Sequence, residues 1–197
     1  FIGNNNTFIG YQCGLVNIGG SDNVGMGTEC LKANTTGNHN VAIGKECLQA
    51  NLSGNNNVAI GYQSLYLNTT GVENVAIGNR CAYNNDSYAN VAIGFECLKG
   101  HSTYISGNTQ NVAIGYQCGL NIGNASKNVL IGYHCGFSDI TNKFTGGLNT
   151  GIGSDSLRSN TSGQRNVAIG AQCLQSNLSG SNNVALGFQS LNSNTDI

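Results

Sequence analysis

Proline is missing from all 197 residues, although 29 of them are glycine and 32 asparagine. Loops rich in Gly and Asn normally carry some proline, whereas a chain whose backbone N–H groups are committed to hydrogen-bonded ladders has no place for it. The absence predicts strands throughout. Charge is scarce too: eight Lys and Arg against nine Asp and Glu give a net charge of -1 and a pI near 6.3. Nucleic acid and anionic membrane surfaces are therefore not expected partners, because both are recognised through basic patches. Low charge with a 39% hydrophobic fraction also excludes a solvated disordered chain, which is usually highly charged and poor in packing residues. Apolar runs reach four residues at most, far below the ~20 that span a bilayer. Phe1 begins in mid-pattern with no signal-like segment, so the chain reads as part of something longer.

In place of these features stands a repeat. The glycines that close each "VAIG"-like tetrad are Gly10, Gly27, Gly44, Gly61, Gly78, Gly94, Gly115, Gly132, Gly153, Gly170 and Gly187; they follow at steps of 17, except one of 16 and two of 21. Four residues before each glycine is Asn in all eleven copies, among them Asn40, Asn57, Asn74, Asn111 and Asn166. The residue just before the glycine is Ile in nine copies, including Ile43, Ile60, Ile77, Ile114 and Ile169, with Val or Thr two positions earlier. Val and Ile thus share one face of a short strand and are expected to stack inside. The residue between them is usually Ala, with Phe8, Gly25, Leu130 and Gly151 as exceptions, and points the other way. After the glycine come two variable residues, then Cys or Ser, then Leu or Gly, and usually a corner such as "NTTG" or "NLSG". Asn side chains fold back on nearby backbone there, and Gly accepts the positive φ that a corner demands.

No window shows the 3.6-residue period of a helix. Each unit holds a strand, a glycine bend, a second short strand and a corner, which is one coil of a β-solenoid. The expected fold is all-β: a single solenoid of about eleven 17-residue coils over residues 1–197, with an antiparallel all-β domain as the alternative. Coils stacked ~4.8 Å apart make a rod of ~50 Å, in which recurring Val, Ile and Asn become ladders. The Ala stripe is either a seam against another copy of the chain or filling for a thin interior, and the residues leave both open.

"NVAIG" followed by a polar pair, a small residue, Leu and "NTTG" resembles the repeats of phage and viral tail-fibre proteins. More distantly it is similar to the heads of YadA-like trimeric autotransporter adhesins, whose repeat is shorter. The likeness covers residues 6–194. It implies a left-handed solenoid packed as a homotrimer, a rigid fibre segment that projects from a virion and mediates attachment. The alternative is a cell-surface adhesin or extracellular filament; an ice-binding protein fits less well, because Thr pairs recur only at Thr35/Thr36 and Thr69/Thr70. Two departures stand out: no chaperone-like C-terminal domain is present, and the small position, often Ala or Ser in such repeats, is mostly Cys.

All eight cysteines, Cys13, Cys30, Cys47, Cys81, Cys97, Cys118, Cys135 and Cys173, lie three residues after the anchor glycine, where the other units hold Ser64, Ser156 and Ser190. A metal site needs convergent ligands and a catalytic thiol needs a partner base; neither pattern occurs, so no metal, cofactor or catalytic residue is expected. Stacked neighbours have a Cα separation that permits disulfides but parallel Cβ vectors that disfavour the near-90° torsion. Buried free thiols are the preferred reading, and they point to assembly in a reducing compartment, as for a virion component made in host cytoplasm. Sequons at Asn34, Asn51, Asn68, Asn85, Asn160 and Asn177, with Asn5 and Asn124, pull towards an extracellular setting, although the corner chemistry generates such tripeptides by itself.

The acidic residues are dispersed, which does not suit an enzyme. The two 21-residue units carry insertions near 99–110 and 138–148. Insertions in repeat arrays map to binding faces, which makes His101, Tyr104, Lys143 and Phe144 candidates for contact with a surface glycan or receptor. A second coil subtype places Gly14, Gly119 and Gly136 where others have Leu, and predicts a local change of corner.

Overall fold

The computed structural model describes residues 3–100, 107, 109–139, 141 and 143–194. Each repeat contributes one three-residue strand: β1 (Thr7–Ile9), β2 (Val24–Met26), β3 (Val41–Ile43), β4 (Val58–Ile60), β5 (Val75–Ile77), β6 (Val91–Ile93), β7 (Val112–Ile114), β8 (Val129–Ile131), β9 (Thr150–Ile152), β10 (Val167–Ile169) and β11 (Val184–Leu186). They form one eleven-stranded parallel sheet in chain order. Register survives both insertions: Val91, Ala92 and Ile93 meet Val112, Ala113 and Ile114 across the first, and Val129 meets Thr150 across the second. The result is an all-β solenoid of about ten turns built from tandem repeats.

The strand faces are reversed from the hydrophobic expectation. Ala42, Ala59, Ala76, Ala92, Ala113, Ala168 and Ala185 are fully buried, while Ile43 and Ile114 are each 36% exposed and Ile169 40%. Val is half-buried in most coils, so Val and Ile form their ladder on the outside. Width explains the reversal. The interior is already filled from the opposite wall by Cys and Leu, leaving room for a methyl group and no more; at Gly25 even a Cβ would lie 2.7 Å from Cys13 Sγ.

That opposite wall is not the second strand the sequence suggested. Consecutive residues of a strand point to opposite faces, yet Cys47 and Leu48 are both fully buried. The backbone achieves this by alternating into the left-handed region, at Gly44 (φ 129°), Glu46 (φ 60°) and Leu48 (φ 46°). The same position is left-handed at Leu31, Leu65, Leu98, Leu157 and Leu174. Left-handed φ costs a side-chain-bearing residue roughly 1–2 kcal/mol, which complete burial of Leu, about 1.5–3 kcal/mol, offsets. Inter-coil bonds continue along this wall, as from Glu46 N–H to Thr28 O at 2.8 Å and from Leu48 N–H to Ser64 O at 3.0 Å.

The glycine subtype is a matter of core volume. Where Phe8 or Leu130 replaces the inward Ala, the Leu position becomes Gly14 or Gly136, whose Cβ would fall 2.5 Å from the Phe8 ring or 2.6 Å from Leu130 Cδ1. Their coil neighbours shrink as well, to Gly25 and Gly151. In the coil of Gly119 the space is taken by buried Ile122, which bridges to Phe144.

Two asparagine ladders fasten the corners. Beside the strand, each Asn accepts from the next: Asn57 N–H and Nδ2 both donate to Asn40 Oδ1, at 3.0 and 3.1 Å, and Nδ2 also donates to Gly71 O at 2.8 Å. At the far corner Asn34, Asn51 and Asn68 form a second column, with Asn51 Nδ2 to Asn34 Oδ1 at 2.7 Å. All of these side chains are buried and carry no charge, so amide-to-amide bonds satisfy them without the desolvation cost of ions, except at Asn68 Oδ1, where the second column ends without a partner.

Candidate functional site

Four features of the rod's surface and core bear on function. The first is the outer sheet face. Besides the Ile ladder it exposes Ile9, Met26, Ile152 and Leu186, so one apolar row runs the length of the solenoid. Singly scattered apolar residues need no explanation on a protein surface, whereas a continuous stripe of this kind does.

The second is the thiol column. All eight cysteines are free, and all but the half-buried Cys13 are buried. The Cys-or-Ser choice has a cause that spacing alone did not reveal: the side chain reaches a backbone carbonyl of the next coil, in the strand or, for Cys47 and Cys173, at the glycine that follows it. Cys30 Sγ reaches Ala42 O at 2.9 Å, Cys118 Sγ reaches Leu130 O at 3.2 Å, and Ser64 Oγ and Ser156 Oγ make the same bond to Ala76 O and Ala168 O at 2.8 and 3.0 Å. Ala would fit the volume but leave no donor. Burial pushes the Cys47 thiol up to about 11. The Cys118 thiol is pushed far above the thiol range by the neighbouring thiols of Cys135 and Cys97 and by burial, as is Cys81 by Cys97 and burial; Cys97 itself moves downward under the influence of Cys118 and Cys81. Titration with a thiol reagent is therefore expected to find eight reactive groups in denaturant and, in the native rod, rapid reaction at Cys13 alone. Fewer than eight in denaturant would mean that oxidation has crossed the coils.

The third is the edge that follows the hinge glycines. Glu96 accepts from Gln117 Nε2 at 2.9 Å, pairs with Arg80 at 3.2 Å and bonds Lys99. Burial opposes its ionisation, but these partners together hold its carboxyl below the usual range. Gln117 Oε1 meets His134 Nε2 at 2.9 Å, and His134 Nδ1 lies 3.7 Å from Asp155. Beside this chain, Phe95, Tyr116 and Tyr133 stack at centroid spacings of 5.1 and 5.3 Å, the coil repeat itself, and stay partly exposed. Burial lowers the His134 pKa. These are ladders of paired side chains, with no nucleophile–base couple, and among the described residues no group of three or more His, Cys, Asp or Glu converges as a metal site would require.

The fourth is the insertions. His101 and Tyr104 lie outside the described residues. Lys143 is exposed. Phe144 is fully buried, and its carbonyl accepts from Gly123 N–H at 2.7 Å, so it is a core residue and not a surface contact. The second insertion turns its aromatic side chain inward where its backbone forms a parallel bridge with buried Ile122 of the preceding coil.

The corner sequons are resolved by burial. Asn34, Asn51, Asn68, Asn160 and Asn177 are completely buried, with Nδ2 already donated to Gly O three residues on; Asn85 is also buried. On the folded rod only Asn5 and Asn124 are exposed among the sequon asparagines. A comparison with protein-family models, curated proteins and solved structures found no match for the chain.

Proposed function

We propose that this chain is a structural segment of a surface-projecting fibre, of the viral tail-fibre or spike kind, which holds an attachment surface away from its base. The supporting observation is the exposed Val/Ile row in strict register along all eleven strands. A rod whose interior takes Ala on this wall in all but four coils has no use for that row within one chain. Side-by-side packing of copies gives it one, and three such faces close on themselves without leaving an open edge. The seam is thus made by Val and Ile, with Ala inside. Among the described residues no helix is long and apolar enough to cross a membrane. Buried free thiols and buried corner sequons favour assembly in host cytoplasm over the cell-surface adhesin reading.

Native mass measurement is expected to find particles of three 20.4 kDa chains. Replacing Ile60 and Ile77 together by Lys should give a monomer that keeps its far-UV β spectrum, because these side chains lie outside the core. A wild-type monomer at micromolar concentration overturns the trimer; collapse of the β spectrum in the double variant overturns the outward placement of Ile.

A further inference from the structure

We propose that the edge of the rod carries a cleft that binds a neutral hexose-containing saccharide, a proposal that deepens the attachment reading and rests on it for its biological purpose. The cleft measures about 370 Å³ and is built from three successive coils, at Phe137 to Asp139, Arg158 and Ser159, and Gln175, Ser176 and Leu178. That volume lies at the lower end of the ~300–1,000 Å³ of small-ligand sites. None of its lining residues belongs to the Val/Ile face, so packing along the seam leaves it open.

Its origin is a missing rung. In regular coils the residue six after the hinge glycine bonds forward to the next coil, as Ala33 N–H does to Gln49 O at 3.0 Å and Ser159 N–H to Gln175 O at 2.8 Å. Ser138 stands at the same place after Gly132, but its N–H turns back to Leu120 O at 3.1 Å. The wall parts between Ser138 and Arg158, and the cleft fills the gap.

The lining chemistry is that of sugar recognition. A pyranose has an apolar C–H face and a rim of hydroxyls, each both donor and acceptor. Phe137 and Leu178 supply apolar surface, and Ser159, Ser176 and Gln175 supply paired donors and acceptors. Arg158 is pre-oriented on two sides: its guanidinium lies 5.6 Å from the Phe137 ring centroid, and Nη1 donates to Asp155 at 3.3 Å. Asp155 already neutralises it, and Asp139 adds a carboxylate to the lining, so the site favours a polyol over an anion. An independent sign of a missing partner comes from Ser138, which is 3% exposed and whose hydroxyl has no hydrogen-bond partner among the described residues. Leaving such a group unpaired is costly, and rotation about χ1 offers it to a ligand.

The chain has no tryptophan, so Phe137→Trp places a single indole in the cleft while keeping an aromatic wall. Titration of this variant with lactose, maltose, mannobiose and chitobiose is expected to give a saturable emission change for at least one, with Kd on the order of 1 mM. Adding Arg158→Ala should weaken it about tenfold or more, and Ser138→Ala should weaken it as well. No saturable response to any of the four sugars overturns the proposal, as does a response that Arg158→Ala leaves unchanged. A stronger response to 3′-sialyllactose or to sodium sulfate than to every neutral sugar overturns the assignment of a neutral ligand. Should Phe137→Trp fail to fold, saturation-transfer NMR from the unmodified chain to the same sugars reads the same contact. Native mass on the same samples separates the two readings: a trimer without sugar response refutes the cleft alone, and a sugar-binding monomer refutes the trimer alone.

Discussion

Asn57→Leu is expected to lower the stability of the rod by about 4–6 kcal/mol. The side chain makes two bonds as donor, to Asn40 Oδ1 and Gly71 O, and its Oδ1 accepts two more, from Asn74 N–H at 3.0 Å and Asn74 Nδ2 at 3.1 Å. Each of the four lost bonds costs about 0.5–1.5 kcal/mol, and the buried Asn74 N–H left without an acceptor adds ~1–3 kcal/mol, whereas Gly71 O keeps Asn68 Nδ2 at 3.2 Å and Asn74 Nδ2 keeps Ser87 O at 2.7 Å. Leucine has nearly the same size, so the loss measures hydrogen bonding and not a cavity. Repeat proteins hold together through nearest-neighbour interfaces, so the damage should be local. Chemical denaturation is expected to split into two transitions, one for coils on each side of residue 57. A single transition less than ~1 kcal/mol below wild type would show that the ladder contributes no net stability.

Asp86→Ala is expected to cost about 3–5 kcal/mol, for a different reason. In regular corners one backbone carbonyl serves two Thr: Thr35 and Thr36 N–H both donate to Leu52 O at 3.0 Å, and Thr35 Oγ1 adds a bond at 2.7 Å. The coil between Gly78 and Gly94 is one residue short, and there the carboxylate of Asp86 takes the place of that carbonyl. Oδ1 accepts from the N–H groups of Thr69, Thr70 and Gly71 at 2.9, 2.7 and 2.8 Å, and Oδ2 accepts from Thr69 Oγ1 at 2.5 Å. Removing it orphans three backbone donors at once, and bonds to a charged acceptor are among the stronger ones. Burial tends to raise the Asp86 pKa, but the bonds from Thr69, Thr70 and Gly71 together bring it below the ordinary carboxylate value. A folded pKa below the unfolded one means that the stabilisation is complete above ~3.9 and disappears as pH falls through the folded value. Unfolding midpoints measured from neutral pH down to strong acid should therefore fall below ~pH 4 in the wild type, and less steeply in Asp86→Asn. Equal acid sensitivity in the two would remove Asp86 from the explanation.

These two positions differ in how far the sequence announces them. Asn57 is one of eleven identical residues at a fixed place, and a polar residue that recurs in every coil of a stack can only pair with itself. Asp86 occurs once, in the one short unit, and nothing in its neighbourhood names a partner sixteen residues back. Phe144 was misread for a related reason. An aromatic in an insertion looks like an exposed contact until the parallel bridge from Ile122 to Phe144 in the next coil is seen, with both side chains buried. Likewise Phe137 and Arg158 belong to different repeats, and only the missing rung at Ser138 brings a cleft between them.

The sequence by itself determined the architecture: the 17-residue period, the place of the Val-x-Ile strand in each coil though not the absence of a second one, the parallel stack and the asparagine ladder all follow from what recurs and at what spacing. The tertiary structure alone decided which way each residue faces. A strand with Val and Ile on one side and Ala on the other is amphipathic by size more than by polarity, so hydrophobicity favours the larger pair inside. The closed coil reverses that choice, because left-handed φ at Glu46, Leu48 and their equivalents turns both Cys and Leu inward. In the regular coils the remaining space admits only a methyl, and the larger Val and Ile side chains are left outside.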